Sequence, residues 1–413
     1  MASPTHAPAA LDVRADFPIL SREIGGRRLV YLDSAATSQK PASVLEALDD
    51  FYRAHNANIH RGVYPLAQEA DALFEGARER IAAFAGGSPR TTIFTRNVTE
   101  AINLVAYSWG RTNLGSGDVV LITEMEHHSN LVPWQLATQV TGAALRYLDV
   151  SEEGTLSLDQ LDAELASGDV RLVALTHVSN VLGTINPLAE VVTRAHAAGA
   201  RVLIDGAQAV PQMAVDVGEI GADFYAWTGH KALGPTGVGV LHAEAELLEA
   251  MPPFLAGGDM IARVDRERST WNELPWKFEA GTSMIAEAVG LGAAVDYLTA
   301  LGMERVREHE RELVAYTLEQ LGELDGVRTF GPSSANARGS VVSFAVDGVH
   351  PHDVAELLGR ENVCIRASHH CAQPLMAKLG VAATARASFG PYNVRSDIDA
   401  LLSALRGAQK VFA

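Results

Sequence analysis

Cys371 stands in the stretch ASHHCAQPLM, directly after His369 and His370 and three residues before Pro374. A thiol beside two imidazoles admits three chemistries: a metal site, a nucleophile with a base next to it, or a buried thiol with incidental neighbours. Small and polar residues flank Cys371, which favours the nucleophile. Cys364 alternates with Ile365 in an apolar run and reads as a core residue. Two cysteines exclude a disulfide framework, and a cytosolic, reducing location fits them.

Lys231 lies in YAWTGHKALGPTGVG, where an apolar run ends and glycines begin. A lysine there can condense with an aldehyde cofactor, although a lone loop lysine is ordinarily just exposed. Asp205 closes the apolar run RVLID, so it belongs at the carboxyl edge of a sheet, where ligands bind. A carboxylate there can pair with a protonated pyridine nitrogen; its plain alternative is a helix N-cap. Gln208, three residues on, can donate to a phenolic oxygen. Asn97, Val98 and Thr99 open a helix in RNVTEAINLV, where free N–H groups attract an anion. Thr228 and His230 flank the lysine and add donors, and His127 or His128 in TEMEHHSNLVPW can stack on a planar ring. These features together suit pyridoxal phosphate. A zinc reading of Glu126, His127 and His128 is weak, because adjacent residues rarely point at one ion. No metal is expected.

The elements that position these residues alternate. TTIFTR, DVVLIT, ALRYLDV, VRLVALTHV, RVLIDGA and ADFYAWTG read as strands, with helical stretches such as TEAINLVAYSWG and LAEVVTRAHAAG between several of them. GPTGVGVLHA adds a strand entered through glycines. The pattern predicts an α/β fold with a large, mostly parallel sheet. Residues 252–283 show no sustained period and read as a long irregular segment, functional or interfacial. GSVVSFAV, VCIRAS and TARASF, with helices around HDVAELLGR and SDIDALLSALRGAQKVF, predict a smaller α+β domain; Ser396 or Asp397 is a candidate N-cap.

The chain has 413 residues, 47% hydrophobic and 20% charged, with a net charge of −17. That length suggests two domains, and the charge argues against nucleic-acid binding. No run of about 18 apolar residues points to a membrane span. The first ten or so residues read as a disordered tail rather than a signal peptide.

The motifs YLDSAATSQKP, HRGVYPLAQEA, EMEHHSNLVPW, THVSNVLGT, DGAQAVPQ, TGHKALGPTG, FEAGTS, HHCAQPLM and ARASF span nearly the whole chain. In them the sequence resembles the SufS-type (group II) cysteine desulfurases, PLP-dependent enzymes of fold type I with the aspartate aminotransferase-like architecture. The resemblance implies a large domain over 25–296 and a small domain over 1–24 and 297–413. It implies Lys231 as the cofactor lysine and the acid/base at Cα, Asp205 on the pyridine nitrogen, Gln208 on the phenolic oxygen and His127 over the ring. Val98, Thr99, Thr228 and His230 fall at the phosphate, and Thr282 reaches the phosphate of a second subunit, so a homodimer is implied. Arg386 takes the substrate carboxylate with Asn180 beside it, Arg366 and His60 are further substrate-site candidates, and Cys371 is the sulfur-accepting nucleophile on a swinging loop.

His369 or His370 is expected to supply positive charge to that thiol. L-cysteine is the implied substrate. The implied acceptor is a SufU- or SufE-type protein serving iron–sulfur cluster assembly, with HHCAQPLMAKLGVAATARASF leaning to SufU. Ser368 and Ala256 replace glycines usual in the family, which bears on loop stiffness, and Val98 brings no hydroxyl. A selenocysteine lyase or a cysteine sulfinate desulfinase is the alternative within this chemistry. Cys371 argues against an aminotransferase, and intact Lys231, Asp205, Arg386 and Cys371 argue against a scaffold without turnover.

Overall fold

The apolar runs of the first two-thirds become one sheet. In the computed structural model, which describes residues 11–412, it comprises β1 (Thr92–Thr95), β2 (Val119–Thr123), β3 (Ala144–Leu148), β4 (Val170–Thr176), β5 (Arg201–Asp205), β6 (Phe224–Thr228) and β7 (Gly239–Ala243). The expected tail, residues 1–10, lies outside the described residues. The strand order is β1-β7-β6-β5-β4-β2-β3. Strands β2 to β6 pair in parallel, and β7 runs antiparallel to β1 and β6. Every residue of β2 and of β6 is buried, as a parallel sheet covered on both faces requires. Strand β7 passes so close to Asn97 that a Cβ on Gly239 would lie 2.5 Å from the Asn97 Cα. Only glycine lets the strand run beneath the helix Val98–Val105.

A second sheet holds β8 (Val327–Phe330), β9 (Val341–Val346), β10 (Arg366–Ser368) and β11 (Thr384–Ser388), in the antiparallel order β8-β9-β11-β10. The run VCIRAS, expected as one strand, divides. Val363–Cys364 pairs in parallel with Val30–Tyr31, while Arg366–Ser368 joins β11.

This pairing crosses the expected domain limits. Val30 and Leu32, inside the 25–296 expected for the large domain, sit in the smaller core with Phe344 and Leu401. Leu11, Phe17 and Leu20, expected in the small domain, pack in the large core. The helix Ile285–Leu301 runs past residue 296 and buries Leu298 in that same core.

Asp397 is buried in the first turn of the helix Arg395–Phe412, so neither it nor Ser396 is the N-cap. Its carboxylate accepts from the Val394 N–H at 3.2 Å and pairs with Arg28 at 2.6 Å and Arg14 at 3.3 Å. It thereby ties the start of the chain to its end. The segment 252–283 contains a hairpin, Ile261–Val264 with Ser269–Trp271. Its side chains are mostly exposed on both faces, so no alternation marks it. Among the described residues no single helix is long and apolar enough to cross a membrane.

Candidate active site

The carboxyl ends of β5 and β6 meet the smaller sheet around a cavity of about 250 Å³. Lys231, Cys371, His127, Asn180, Arg366 and Arg386 all line it, with Asn97, Val98, Thr99 and His230. A larger cavity of about 970 Å³ lies elsewhere, among Asp149, Arg328 and Lys378, and contains none of these groups.

Lys231 ends the short turn Gly229–Lys231 that follows β6. Burial pushes its amine down to about 8, against the opposing pull of Asp205. Asp205 is itself buried at the end of β5, and burial raises its carboxyl while Lys231 holds it down. Its Oδ1 accepts the Ala207 N–H at 3.0 Å.

Among the described residues the buried hydroxyl of Thr228 has no partner, an anomaly that a bound acceptor would remove. It adjoins His230, which burial, reinforced by Lys231 and Lys40, pushes down to about 4. A neutral imidazole keeps one N–H to donate. Asn97 caps the neighbouring helix by accepting the Glu100 N–H at 3.0 Å, and the first-turn amides of Val98 and Thr99 have no intrahelical acceptor. Orphaned hydroxyl, neutral imidazole, helix N-terminus and depressed lysine form a donor set that fits the phosphate and aldehyde of pyridoxal phosphate. Gln208 is buried, and its amide donates to the carbonyl of Ala35, a residue of the cavity wall, at 2.8 Å.

His127 accepts the Ser129 N–H on Nδ1 at 3.1 Å, with the Ser129 hydroxyl at 2.7 Å. That leaves the proton on Nε2, and burial holds the ring neutral, down to about 3. Glu126 turns the other way. It is fully buried and accepts from Thr123, Asn130 and the Thr176 N–H, which removes it from any zinc set with His127 and His128.

At the carboxylate end, Arg386 is 2% exposed on β11, directly across from Arg366 on β10. It donates to the Asn180 carbonyl and to Asp33 Oδ1, each at 3.0 Å, and its Nε has no partner. Asp33 was missed in the sequence, although it ends the apolar run VYLD much as Asp205 ends RVLID.

The loop of Cys371 is tied rather than free. Asn180 donates its side-chain amide to the His370 carbonyl at 2.8 Å, and the His128 N–H donates to the Cys371 carbonyl at 2.7 Å. Gln373 N–H reaches His128 Nε2 at 3.2 Å, and Ser368 Oγ accepts the His370 N–H at 2.7 Å. His370 and Cys371 both hold positive φ, 50° and 55°, a conformation that these contacts must maintain. One of the two expected charge donors does not serve. His370 is buried against Thr384 and pushed down to about 3, so it is neutral. His369 Nδ1 accepts the Cys371 N–H at 3.1 Å. The cations facing the thiol are Lys231, Arg366 and Arg386.

Cys364 is half-buried against the large core, and burial raises its thiol. Five expected residues do not line the cavity: Asp205, Gln208 and Thr228 are buried next to residues that do, and His60 and Thr282 stand apart from it. His60 faces Glu75 at 3.1 Å and Asp71 at 3.7 Å. Thr282 is exposed, in a separate hollow with Asn97 and His230. Ala256 is exposed as well.

A family model described as aminotransferase class-V matches residues 30–401. The chain is 51% identical over 404 residues to a probable cysteine desulfurase of Halalkalibacterium halodurans, covering 98% of each. Among solved structures it is similar to the cysteine desulfurase CsdA of Escherichia coli in an S-sulfonic acid form. The identity is 40% and the TM-score 0.89, over 97% of this chain and 98% of that one. A C-DES variant with glycine covalently linked to its PLP cofactor is 25% identical, with a TM-score of 0.81, over 95% and 98%. The chain belongs to the class-V aminotransferase family, among its cysteine desulfurases, whose cofactor is pyridoxal phosphate.

Proposed function

We propose that the protein converts L-cysteine to L-alanine and takes the released sulfur as a persulfide on Cys371. The observation that carries this is one cavity holding a depressed lysine, a buried arginine and a thiol: Lys231, Arg386 and Cys371. An aminotransferase has no use for the thiol.

Pyridoxal phosphate, held by Lys231, Asp205, Thr228, His230 and the 97–99 helix start, supplies an electron sink for charge developing at Cα. Arg386 binds the substrate carboxylate by a charge-assisted pair and so fixes Cα. Lys231 removes the Cα proton, and its pKa, lowered to about 8, makes the neutral amine far more accessible than in an exposed lysine. His127 covers the site as a neutral donor on Nε2. The Cys371 thiolate attacks the substrate sulfur, the Cβ–S bond breaks, and Cβ takes a proton. Free thiol plus cysteine thus become persulfide plus alanine, with atoms and electrons balanced. An attacking sulfur anion meets Lys231, Arg366 and Arg386 across the cavity.

The finer reading is a SufS-type enzyme in the cytoplasm that hands sulfur to a SufU- or SufE-type acceptor for iron–sulfur cluster assembly. It acts as a homodimer. Supporting the dimer, Val132, Leu136 and Val140 are 42%, 54% and 65% exposed along one helix face, and Val63 is 91% exposed. A second copy covering them would also explain why His60 and Thr282 stand outside the cavity of their own chain. The test is alanine and sulfide production from L-cysteine, with and without each acceptor, alongside the mass in solution. No alanine with either acceptor would refute the activity, and a monomer would refute the assembly.

A further inference from the structure

The carbonyl of His230, one residue before Lys231, receives four donors. The Ser38 N–H lies at 3.0 Å, Thr37 Oγ1 and Ser38 Oγ at 3.1 Å, and the Lys40 ammonium at 2.9 Å. A carbonyl oxygen has two lone pairs, so one or two partners are usual. Lys40 is half-buried, has no carboxylate within ion-pair distance among the described residues, and spends its remaining protons on Ser38. An unpaired cation held against a peptide oxygen calls for an explanation.

The same segment reaches the far side of the turn. Ser38 Oγ accepts the Leu233 N–H at 3.0 Å, and Leu233 holds φ 60°, strained for a residue with a side chain. Residues 37–40 therefore grip the 229–233 turn at both ends, and Ala35 and Ala36 just before them form cavity wall. The motif SAATSQKP, which the reaction chemistry leaves unused beyond its wall, has this clamp at its end.

We propose that Lys40 is a positioning residue for Lys231: with Thr37 and Ser38 it clamps the His230 carbonyl and so fixes the turn that aims both the lysine amine and the His230 ring into the cavity. A charge-assisted bond suits the task, because it is stronger than a neutral one and sets one register for the turn. This rests on the assignment of Lys231 as the cofactor lysine.

The test compares Lys40→Met with wild type. In cofactor-free protein, hydrogen exchange at the amides of residues 229–234 should quicken about tenfold, with melting and exchange elsewhere little changed. In loaded enzyme, kcat should fall about tenfold with KM within about twofold, since a misaimed base affects the chemical step more than binding. Turn exchange and kcat both within about twofold of wild type would overturn the proposal, as would a uniform loss of protection across the protein. If Lys40→Met does not fold, Thr37→Val, which removes one neutral donor, should move the same amides about threefold, and wild-type exchange there overturns the proposal. Failure of the underlying assignment reads differently: borohydride would then lock pyridoxal phosphate covalently onto Lys231→Ala protein as well.

Discussion

Asp33 holds Arg386, with Oδ1 accepting from Nη2 at 3.0 Å, on the guanidinium proposed to receive the substrate carboxylate. The Asn180 carbonyl fixes the other terminal nitrogen, and Nε is left without a partner. The fork is therefore aimed by the protein before the substrate arrives. Asp33→Ala releases one arm and leaves a buried cation unpaired. KM for L-cysteine should rise about tenfold while kcat falls less. Steady-state kinetics with KM within about twofold of wild type would show that Asp33 aims nothing.

Asn180 touches both Arg386 and the loop of Cys371, the two halves of the proposed reaction. Its carbonyl takes Arg386 and its side-chain amide holds the His370 carbonyl, one residue before Cys371. Asn180→Ala keeps the first contact and loses the second. Exchange of the Cα hydrogen of L-cysteine with solvent deuterium should persist, while persulfide formation slows about tenfold. Equal losses in both steps would place Asn180 in binding rather than in holding the loop.

Burial depresses Lys231 to about 8. The neutral amine is the form that condenses with an aldehyde. The rate of pyridoxal phosphate uptake by cofactor-free protein should climb about tenfold per pH unit below 8 and level off above it. A rate still climbing at about pH 10 would match an ordinary lysine and contradict the burial argument.

His242 is buried and His177 half-buried, and burial pushes both down to about 4. His242 accepts from Trp227 Nε1 on Nε2 at 3.0 Å, so protonation there breaks a buried bond. A histidine whose folded value lies below its unfolded 6.5 stabilises the fold fully above 6.5, and loses that contribution as pH falls toward 4. Each should cost about 2 kcal/mol by about pH 5. Melting of cofactor-free protein should drop over that window, and His242→Gln should shrink the drop. A His242 ring that titrates near 6.5 by NMR would refute this.

The sequence is most legible where periodicity is dense. All seven strands of the large sheet stand where the sequence predicts strands, most clearly β2 (VVLIT) and β4 (VRLVALT), whose burial on both faces goes with near-continuous Val, Ile and Leu. Asp205 and Lys231 follow from their places at the ends of such runs. The missed features depend on contacts distant in the chain. Val30–Tyr31 and Val363–Cys364 are two-residue strands that exist only through each other, so neither the split of VCIRAS nor the crossed domain limits could be read locally. The clasp of Asp33 on Arg386 joins residues 353 positions apart. His370 looked available as a cation in its tripeptide. Its neutrality comes from burial against Thr384, which no local spacing reveals.

In the proposed reaction the sulfur of L-cysteine passes to Cys371. Incubation of loaded enzyme with one equivalent of L-cysteine, followed by intact and peptide mass measurement, tests it most directly. One added sulfur atom should appear on the Cys371 peptide, with matching alanine, and disappear on treatment with a thiol. Cys364→Ser should behave as wild type, and Cys371→Ala should form neither the adduct nor catalytic alanine. Sustained alanine production by Cys371→Ala, or sulfur found on Cys364 instead, would contradict the account.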